Sequence, residues 1–294
     1  MVRLAILGFG LIGGSIARAL ATRDPGGWRV SAWSRSPAAP ERALREGIVA
    51  DVPGELLAAC ADAHLVLLAA SPAANVDLVA RVGPAIAVAG QLLTDVTGVQ
   101  RPVAVAAGRV PGLRFVGGHP LSGRETRGYG AASPDLFVDR PWAILPGPAA
   151  SAADVDLVRR LALACGALPV ELDATAHDRA VATISHLPLL AAVALVEAAA
   201  ALPGSDLAVR LAAGGWRDAT RLARGDPELG AGMLALNADL AGEALRGYRA
   251  RLEAWQERLA GIVASADPGA AVEALAAELA AVAARAAPPP PEPS

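Results

Sequence analysis

The segment that most limits what this chain can fold into is Gly8-Phe9-Gly10-Leu11-Ile12-Gly13. It lies between the apolar run Val2–Leu7 and a helical pattern from about Leu11 to Thr22. An unbroken apolar run of that length reads as a parallel strand buried on both faces. Gly8 permits the tight turn out of the strand, Gly10 lets the backbone approach a pyrophosphate, and Gly13 lets the helix pack close to the strand. The phosphates then sit at the helix N-terminus, where free N–H groups and the dipole favour an anion. With a second strand at Trp28–Trp33, residues 1–35 have the length of a β-loop-α-β nucleotide unit. The expectation is that Gly8, Phe9, Gly10, Leu11, Ile12 and Gly13 cradle NAD or NADP.

The end of the second strand bears on which dinucleotide binds. NAD sites usually place an Asp or Glu there to hold the ribose hydroxyls. This chain reads Ala32-Trp33-Ser34-Arg35-Ser36, with no acid. Ser34 and Ser36 can hydrogen-bond a 2′-phosphate and Arg35 can pair with it. NADP is therefore favoured over NAD.

Further along, apolar segments at 64–70, 91–96, 114–117, 142–145 and 168–172 read as strands separated by helical patterns. That alternation predicts an α/β fold, a Rossmann-type doubly wound, mostly parallel sheet. Asn75 is placed to cap a helix running to Arg81, and Ser151 one running to about Cys165. After Asp173 the pattern is almost wholly helical. The expected division is a dinucleotide-binding domain at 1–172, an all-helical substrate and dimerisation domain at 173–287, and a disordered proline-rich tail at 288–294.

Composition removes several chemistries. All 26 basic residues are Arg, so a Schiff-base Lys, a P-loop Lys and a Lys general base are excluded. The net charge of -3, with no basic run, argues against nucleic acid. Cys60 and Cys165 are far apart and offer neither a disulfide framework nor zinc spacing, and a reducing cytoplasm fits them. The apolar stretch from Leu187 to Leu202 has 16 residues, holds Pro188 and Glu197, and reads as too short to span a bilayer. Long Ala- and Leu-rich helices instead need a partner surface, which predicts a homodimer through the helical domain.

The segment Gly117-Gly118-His119-Pro120-Leu121-Ser122-Gly123-Arg124-Glu125 follows a strand and so lies at the carboxyl edge of the sheet, where nicotinamide would bind. A His there can act as a general base. At these residues the chain resembles the prephenate/arogenate dehydrogenase family. The resemblance extends to Gly8–Ser15, His177-Asp178, Ser185-His186-Leu187-Pro188 and Asp218-Ala219-Thr220-Arg221, in order, with Asn237 at a further helical position. It implies hydride transfer from the ring of prephenate to NAD(P), with loss of the ring carboxylate as CO2, giving 4-hydroxyphenylpyruvate. With arogenate the product is tyrosine.

The resemblance also implies roles. His119 would take the proton of the ring hydroxyl. Arg221 and His186 would bind substrate carboxylates, Ser185 and Thr183 would be lesser contacts, and Glu125 would order the loop. His177-Asp178 reads as a structural pair at a helix start. His177 precedes His186 by nine residues, about two and a half turns of a straight helix, so both should not face one ligand. His64 reads as structural. The chain departs from the family at Asp95-Val96-Thr97-Gly98-Val99-Gln100, where the family carries D-x-x-S-V-K. Gly98 replaces the Ser and Gln100 the Lys, so Thr97 is the candidate hydroxyl if the loop is shifted. The rival readings are a β-hydroxyacid dehydrogenase or imine reductase and, without turnover, a nucleotide-sensing binding protein.

Overall fold

In the computed structural model, which describes residues 1–123, 126–265 and 267–286, seven strands form one sheet in the order β2-β1-β3-β4-β5-β6-β7. The strands are β1 (Val2–Leu7), β2 (Trp28–Trp33), β3 (Leu65–Leu68), β4 (Leu92–Asp95), β5 (Arg114–Pro120), β6 (Pro141–Pro146) and β7 (Leu168–Glu171). Every neighbouring pair is parallel except β5 with β6. The first helices are α1 (Leu11–Arg23), α2 (Ala38–Arg45), α3 (Leu56–Cys60), α4 (Pro72–Val88), α5 (Arg101–Gly108) and α6 (Ala152–Ala164). The later helices are α7 (Ala174–Val181), α8 (Leu187–Ala201), α9 (Ser205–Arg210), α10 (Gly214–Ala219), α11 (Pro227–Leu236), α12 (Ala238–Val263) and α13 (Pro268–Ala286).

The apolar runs of β1 and β3 follow from cover on both faces. Leu4, Ile6, Leu65 and Leu67 pack with Ile16 and Leu20 of α1 and Leu161 of α6. Ala5, Leu7, Val66 and Leu68, one residue out of step, pack with Val79, Val82 and Ile86 of α4. Each large aliphatic side chain buried this way stabilises the fold by about 1.5–3 kcal/mol. Chain direction across the sheet reverses between β1 and β3, so the crevice for a ligand opens beyond the end of β1, at Gly8–Gly13.

Two local expectations change. β5 does not stop at Gly117 but runs through Gly118 and His119, which pair with Ile144 and Ala143 of the antiparallel β6. Gly118 is needed there because a Cβ would come within 2.6 Å of the Asp95 carbonyl oxygen. Asn75 is not a cap. α4 begins three residues earlier, with Ser71 at its N-cap, and Asn75 is buried. Its Oδ1 accepts the Ala70 N–H and its Nδ2 donates to the Thr97 hydroxyl. Ser151 does cap α6, in a reciprocal capping box with Asp154.

The apolar run near Pro188 also proves longer than its sequence bounds. α7, a π turn at Ala182–His186 and α8 form one helical run of 28 residues, within which an 18-residue window has a mean hydropathy of 1.8, long and apolar enough to cross a membrane by those measures. The chain divides into two compact units, Met1–Gly242 and Glu243–Ser294. The first holds the whole sheet and the helices to α11. In the second, Arg258 of α12 pairs with Glu278 of α13 at 2.8 Å.

Candidate active site

The nucleotide cradle is complete in backbone terms. Gly8 has φ of +103°, a left-handed conformation that favours glycine, and a Cβ there would meet the backbone of Ala69 and Ala70 at 2.5 Å. A Cβ on Gly13 would press on the Gly8 carbonyl oxygen. Gly10 differs, since nothing lies within 4 Å of where its Cβ would be. It is also the N-cap of α1, and no side chain caps that helix. An open glycine in front of an uncapped helix start fits a pyrophosphate. Phe9 is buried against Tyr129, with ring centroids 5.2 Å apart, so it shapes the loop from behind. Leu11 and Ile12 open α1.

The second strand ends beside this loop, where the Gly8 N–H donates to the Trp33 carbonyl at 2.8 Å. Ser34 follows half-buried, and Arg35 and Ser36 are exposed.

His119 stands near the end of β5, half-buried. Its Nδ1 lies 2.9 Å from His177 Nε2, and His177 Nδ1 lies 2.8 Å from an oxygen of Asp178. Asp178 is fully buried and also accepts the N–H groups of Gln100 at 2.7 Å and Arg101 at 2.8 Å. Burial opposes its ionisation, but the bonds from His177, Gln100 and Arg101 hold the carboxyl below the usual range. His119 is pushed down to about 3, first by burial and then by neighbouring His177.

The other ring nitrogen of His119, Nε2, has no hydrogen-bond partner among the described residues. A Cβ on Gly98 would lie 3.6 Å from His119 Nε2 and 3.5 Å from Met233 Sδ. A small notch therefore lies between the end of β4, the end of β5 and α11, beside the bare nitrogen.

His186 is also fully buried. Asn237 Nδ2 donates to the Asp178 backbone oxygen at 2.9 Å and lies 3.3 Å from His186 Nδ1. Among the described residues His186 Nε2 has no partner. His186 and His177 thus approach one region despite their spacing. The π turn takes up one extra residue, so nine residues advance the helix as eight would, roughly 80° from alignment instead of a half turn. The helix-start reading of His177 is replaced by a place in the site.

The remaining expected residues are less united. Thr97 is buried, but its hydroxyl is taken by Asn75 at 2.8 Å, so the loop shift that would bring it to His119 does not occur. Ser185 is half-buried in the π turn. Thr183 is exposed and its hydroxyl donates to the Arg179 carbonyl. Arg221 is exposed at the start of a 3-10 turn, Arg221–Arg224, next to α10. Glu125 lies outside the described residues. His64 sits at the opposite, amino edge of the sheet, its Nδ1 accepting the Arg3 N–H at 3.1 Å in a recess of about 470 Å³.

One residue in the site, Arg101, carried no signal in the sequence reading, and Gln100 was marked there only as a departure from the family. Arg101 donates to Asp178, to Asn237 Oδ1 at 2.7 Å and to Asp239 at 2.6 Å, joining α5 to three points of the helical segment. Gln100 Nε2, at the family's Lys position, donates to the Asp95 carboxylate and to the carbonyls of Thr97 and Gly118, leaving its own Oε1 unpartnered among the described residues. Asp95 is fully buried and is pushed up to about 6 by that burial, against bonds from Thr97, Gly118 and Gln100.

The sheet order, the glycine cradle and the helical segment over the carboxyl edge define a nucleotide-binding protein of the Rossmann class. Residues 16–171 match the family model "Prephenate dehydrogenase, nucleotide-binding domain" and residues 173–276 match "Prephenate dehydrogenase, dimerization domain". The chain belongs to the prephenate dehydrogenase family. It is 30% identical over 239 residues to the prephenate dehydrogenase of Bacillus subtilis, covering 80% of this chain and 64% of that one. The structure of Synechocystis arogenate dehydrogenase is similar, with a TM-score of 0.74, 28% identity and coverage of 88% of this chain and 92% of that one. The fold is also that of A. aeolicus prephenate dehydrogenase, with a TM-score of 0.82, 24% identity and coverage of 94% and 95%.

Proposed function

We propose that the protein carries out the oxidative decarboxylation of prephenate to 4-hydroxyphenylpyruvate, with arogenate as the alternative substrate giving tyrosine. The observation that carries this reading is the bare Nε2 of His119 facing a notch at the carboxyl edge of a nucleotide-binding sheet. The B. subtilis and Synechocystis relatives, one named for each substrate, support both choices.

Bound nicotinamide supplies the hydride acceptor. His119 is the base that accepts the proton of the ring hydroxyl as hydride leaves the same carbon. Loss of the ring carboxylate as CO2 then aromatises the ring, which drives the step. The unpartnered His186 Nε2 is a buried donor suited to a substrate carboxylate. Arg221 is proposed for a second carboxylate, Ser185 for a lesser contact, and Glu125 keeps its proposed role at the loop. Thr97 is dropped as a catalytic hydroxyl, because Asn75 engages it.

The cofactor is a nicotinamide dinucleotide, and NADP is the proposed preference. Arg35 is exposed and has no ion-pair partner among the described residues, as a 2′-phosphate ligand would be. The proposed division of labour is nucleotide binding at 1–172 and substrate binding and dimerisation at 173–287, in keeping with the extents of the two family models. Leu202, Val209 and Leu211 of the helical segment are 64%, 66% and 72% exposed, which supports its burial in a homodimer. A cytoplasmic location fits two free, buried cysteines. Steady-state kinetics with prephenate and arogenate, each with NAD+ and NADP+, test this reading through formation of reduced nicotinamide. A protein that binds dinucleotide and turns over neither acid would be the nucleotide-sensing alternative.

A further inference from the structure

Three groups in a line, His119, His177 and Asp178, fix each other's protons. Asp178 accepts backbone N–H groups from Gln100 and Arg101 and a guanidinium N–H from Arg101, so its oxygens are filled with donors, as suits a carboxylate. A carboxylate only accepts, so His177 Nδ1, 2.8 Å away, must carry a hydrogen. Neutral His177 then has a lone pair on Nε2. The only group at hydrogen-bond distance from that lone pair among the described residues is His119 Nδ1, at 2.9 Å, which must therefore be the donor. His119 Nε2 is left without a hydrogen, on the side where Gly98 leaves the notch.

We propose that His177, clamped by Asp178, is the positioning residue of the reaction: it holds the His119 proton on Nδ1, keeps Nε2 open as the acceptor, and takes the Nδ1 proton as Nε2 receives the substrate's. The inference rests on the reading of His119 as the base. In balance, the substrate O–H bond breaks and a His119 Nε2–H bond forms. The His119 Nδ1–H bond breaks and a His177 Nε2–H bond forms. His119 ends neutral, and the positive charge sits on His177 against the Asp178 carboxylate. The hydride leaves the substrate carbon for the nicotinamide.

The burial that pushes His119 down to about 3 is the physical reason for such a transfer. A cation left on His119 is disfavoured, whereas a cation on His177 has a carboxylate partner. The charged or titratable groups around the pair are Asp95 behind Gly118, Arg101 with Asp239 beyond Asp178, and His186 from the π turn. Asp95 itself titrates at about 6, so a pH limb is assigned by comparing variants and not from one profile.

The chain has only four histidines, which makes ¹⁵N-histidine NMR of the whole protein decisive. The ring of His119, assigned by its loss in His119→Asn, is expected at neutral pH with hydrogen on Nδ1 and none on Nε2. His177→Leu, which offers no acceptor, is expected to return His119 to the Nε2–H form. It should lower kcat by roughly 10²–10⁴-fold, the scale of a lost proton-transfer path, with KM and cofactor affinity within about twofold. His177→Gln, whose amide oxygen accepts the Nδ1 hydrogen but cannot take it, should restore the Nδ1–H form and only part of kcat, with the acid limb of kcat moved to lower pH. Hydrogen on His119 Nε2 in the unaltered protein would overturn the proposal, and so would unchanged kcat and pH profile in His177→Gln. The NMR result needs no turnover, so it stands even if His119→Asn shows that His119 is not the base.

Discussion

The side-chain amide of Asn237 faces the ring of His186, with Nδ2 3.3 Å from Nδ1. Its orientation is fixed from the other side, because Arg101, which can only donate, lies 2.7 Å from Asn237 Oδ1. Nδ1 of His186 is therefore the acceptor and Nε2 carries the hydrogen. That N–H is buried and has no partner among the described residues. A substrate carboxylate would satisfy it, and a bond to a charged group contributes about 1.5–3 kcal/mol. His186→Ala is expected to raise KM for the acid substrate by roughly 10- to 100-fold while cofactor affinity stays unchanged. Unchanged KM in steady-state kinetics would remove His186 from the binding site.

The glycines of the cradle separate folding from binding. Gly10→Ala adds a methyl group into open space on the ligand side, so stability should hold while dinucleotide affinity falls at least about tenfold. Gly13→Ala drives a methyl group into the Gly8 carbonyl and should cost about 1–3 kcal/mol of stability. Urea unfolding and dinucleotide titration of both variants check the contrast.

The proposed preference for NADP rests on Arg35. Arg35→Ala should lower kcat/KM with NADP+ by roughly 10- to 100-fold, the value of a charge-assisted bond to phosphate, and leave the value with NAD+ almost unchanged. Equal losses with both dinucleotides would show that Arg35 does not read the 2′-phosphate.

Asp95 makes stability pH-dependent. Folded, it holds its proton up to about pH 6, against an ordinary value of 3.8. Between these values the folded state binds more protons than the unfolded one, so stability falls as pH rises from about 4 to 6 and stays lower above. The shift corresponds to a cost on the order of 3 kcal/mol. Gln100→Lys places a cation where Gln100 Nε2 now donates to the carboxylate. Its Tm relative to the unaltered protein should be more favourable at pH 8 than at pH 5. The reverse order in thermal melts would contradict the account of Asp95.

Much of this was legible in residue order. β1 and β2 have the bounds expected, because an apolar run and a Trp-to-Trp segment are cut sharply by Gly8 and Ser34. The carboxyl edge also followed, since His119 comes two glycines after the apolar Phe115-Val116. What escaped depends on contacts between distant segments. Gly118 looks like the start of a loop, yet it lets β5 pass close to β4 at Asp95. His177 was set aside on the spacing of a straight helix, and the π turn at Ala182–His186 leaves no mark in that spacing. Thr97 looked free because nothing local shows that Asn75, 22 residues earlier, takes its hydroxyl.

The central claim is that His119 is the base of a prephenate or arogenate oxidation. It is tested most directly by following reduced nicotinamide and CO2 together, with prephenate, arogenate and both dinucleotides, for the unaltered protein and His119→Asn. The account predicts equal amounts of the two products from at least one substrate, and a fall in kcat of roughly 10²–10⁴-fold in the variant with cofactor affinity preserved. Reduced nicotinamide without CO2, or full turnover by His119→Asn, would contradict it.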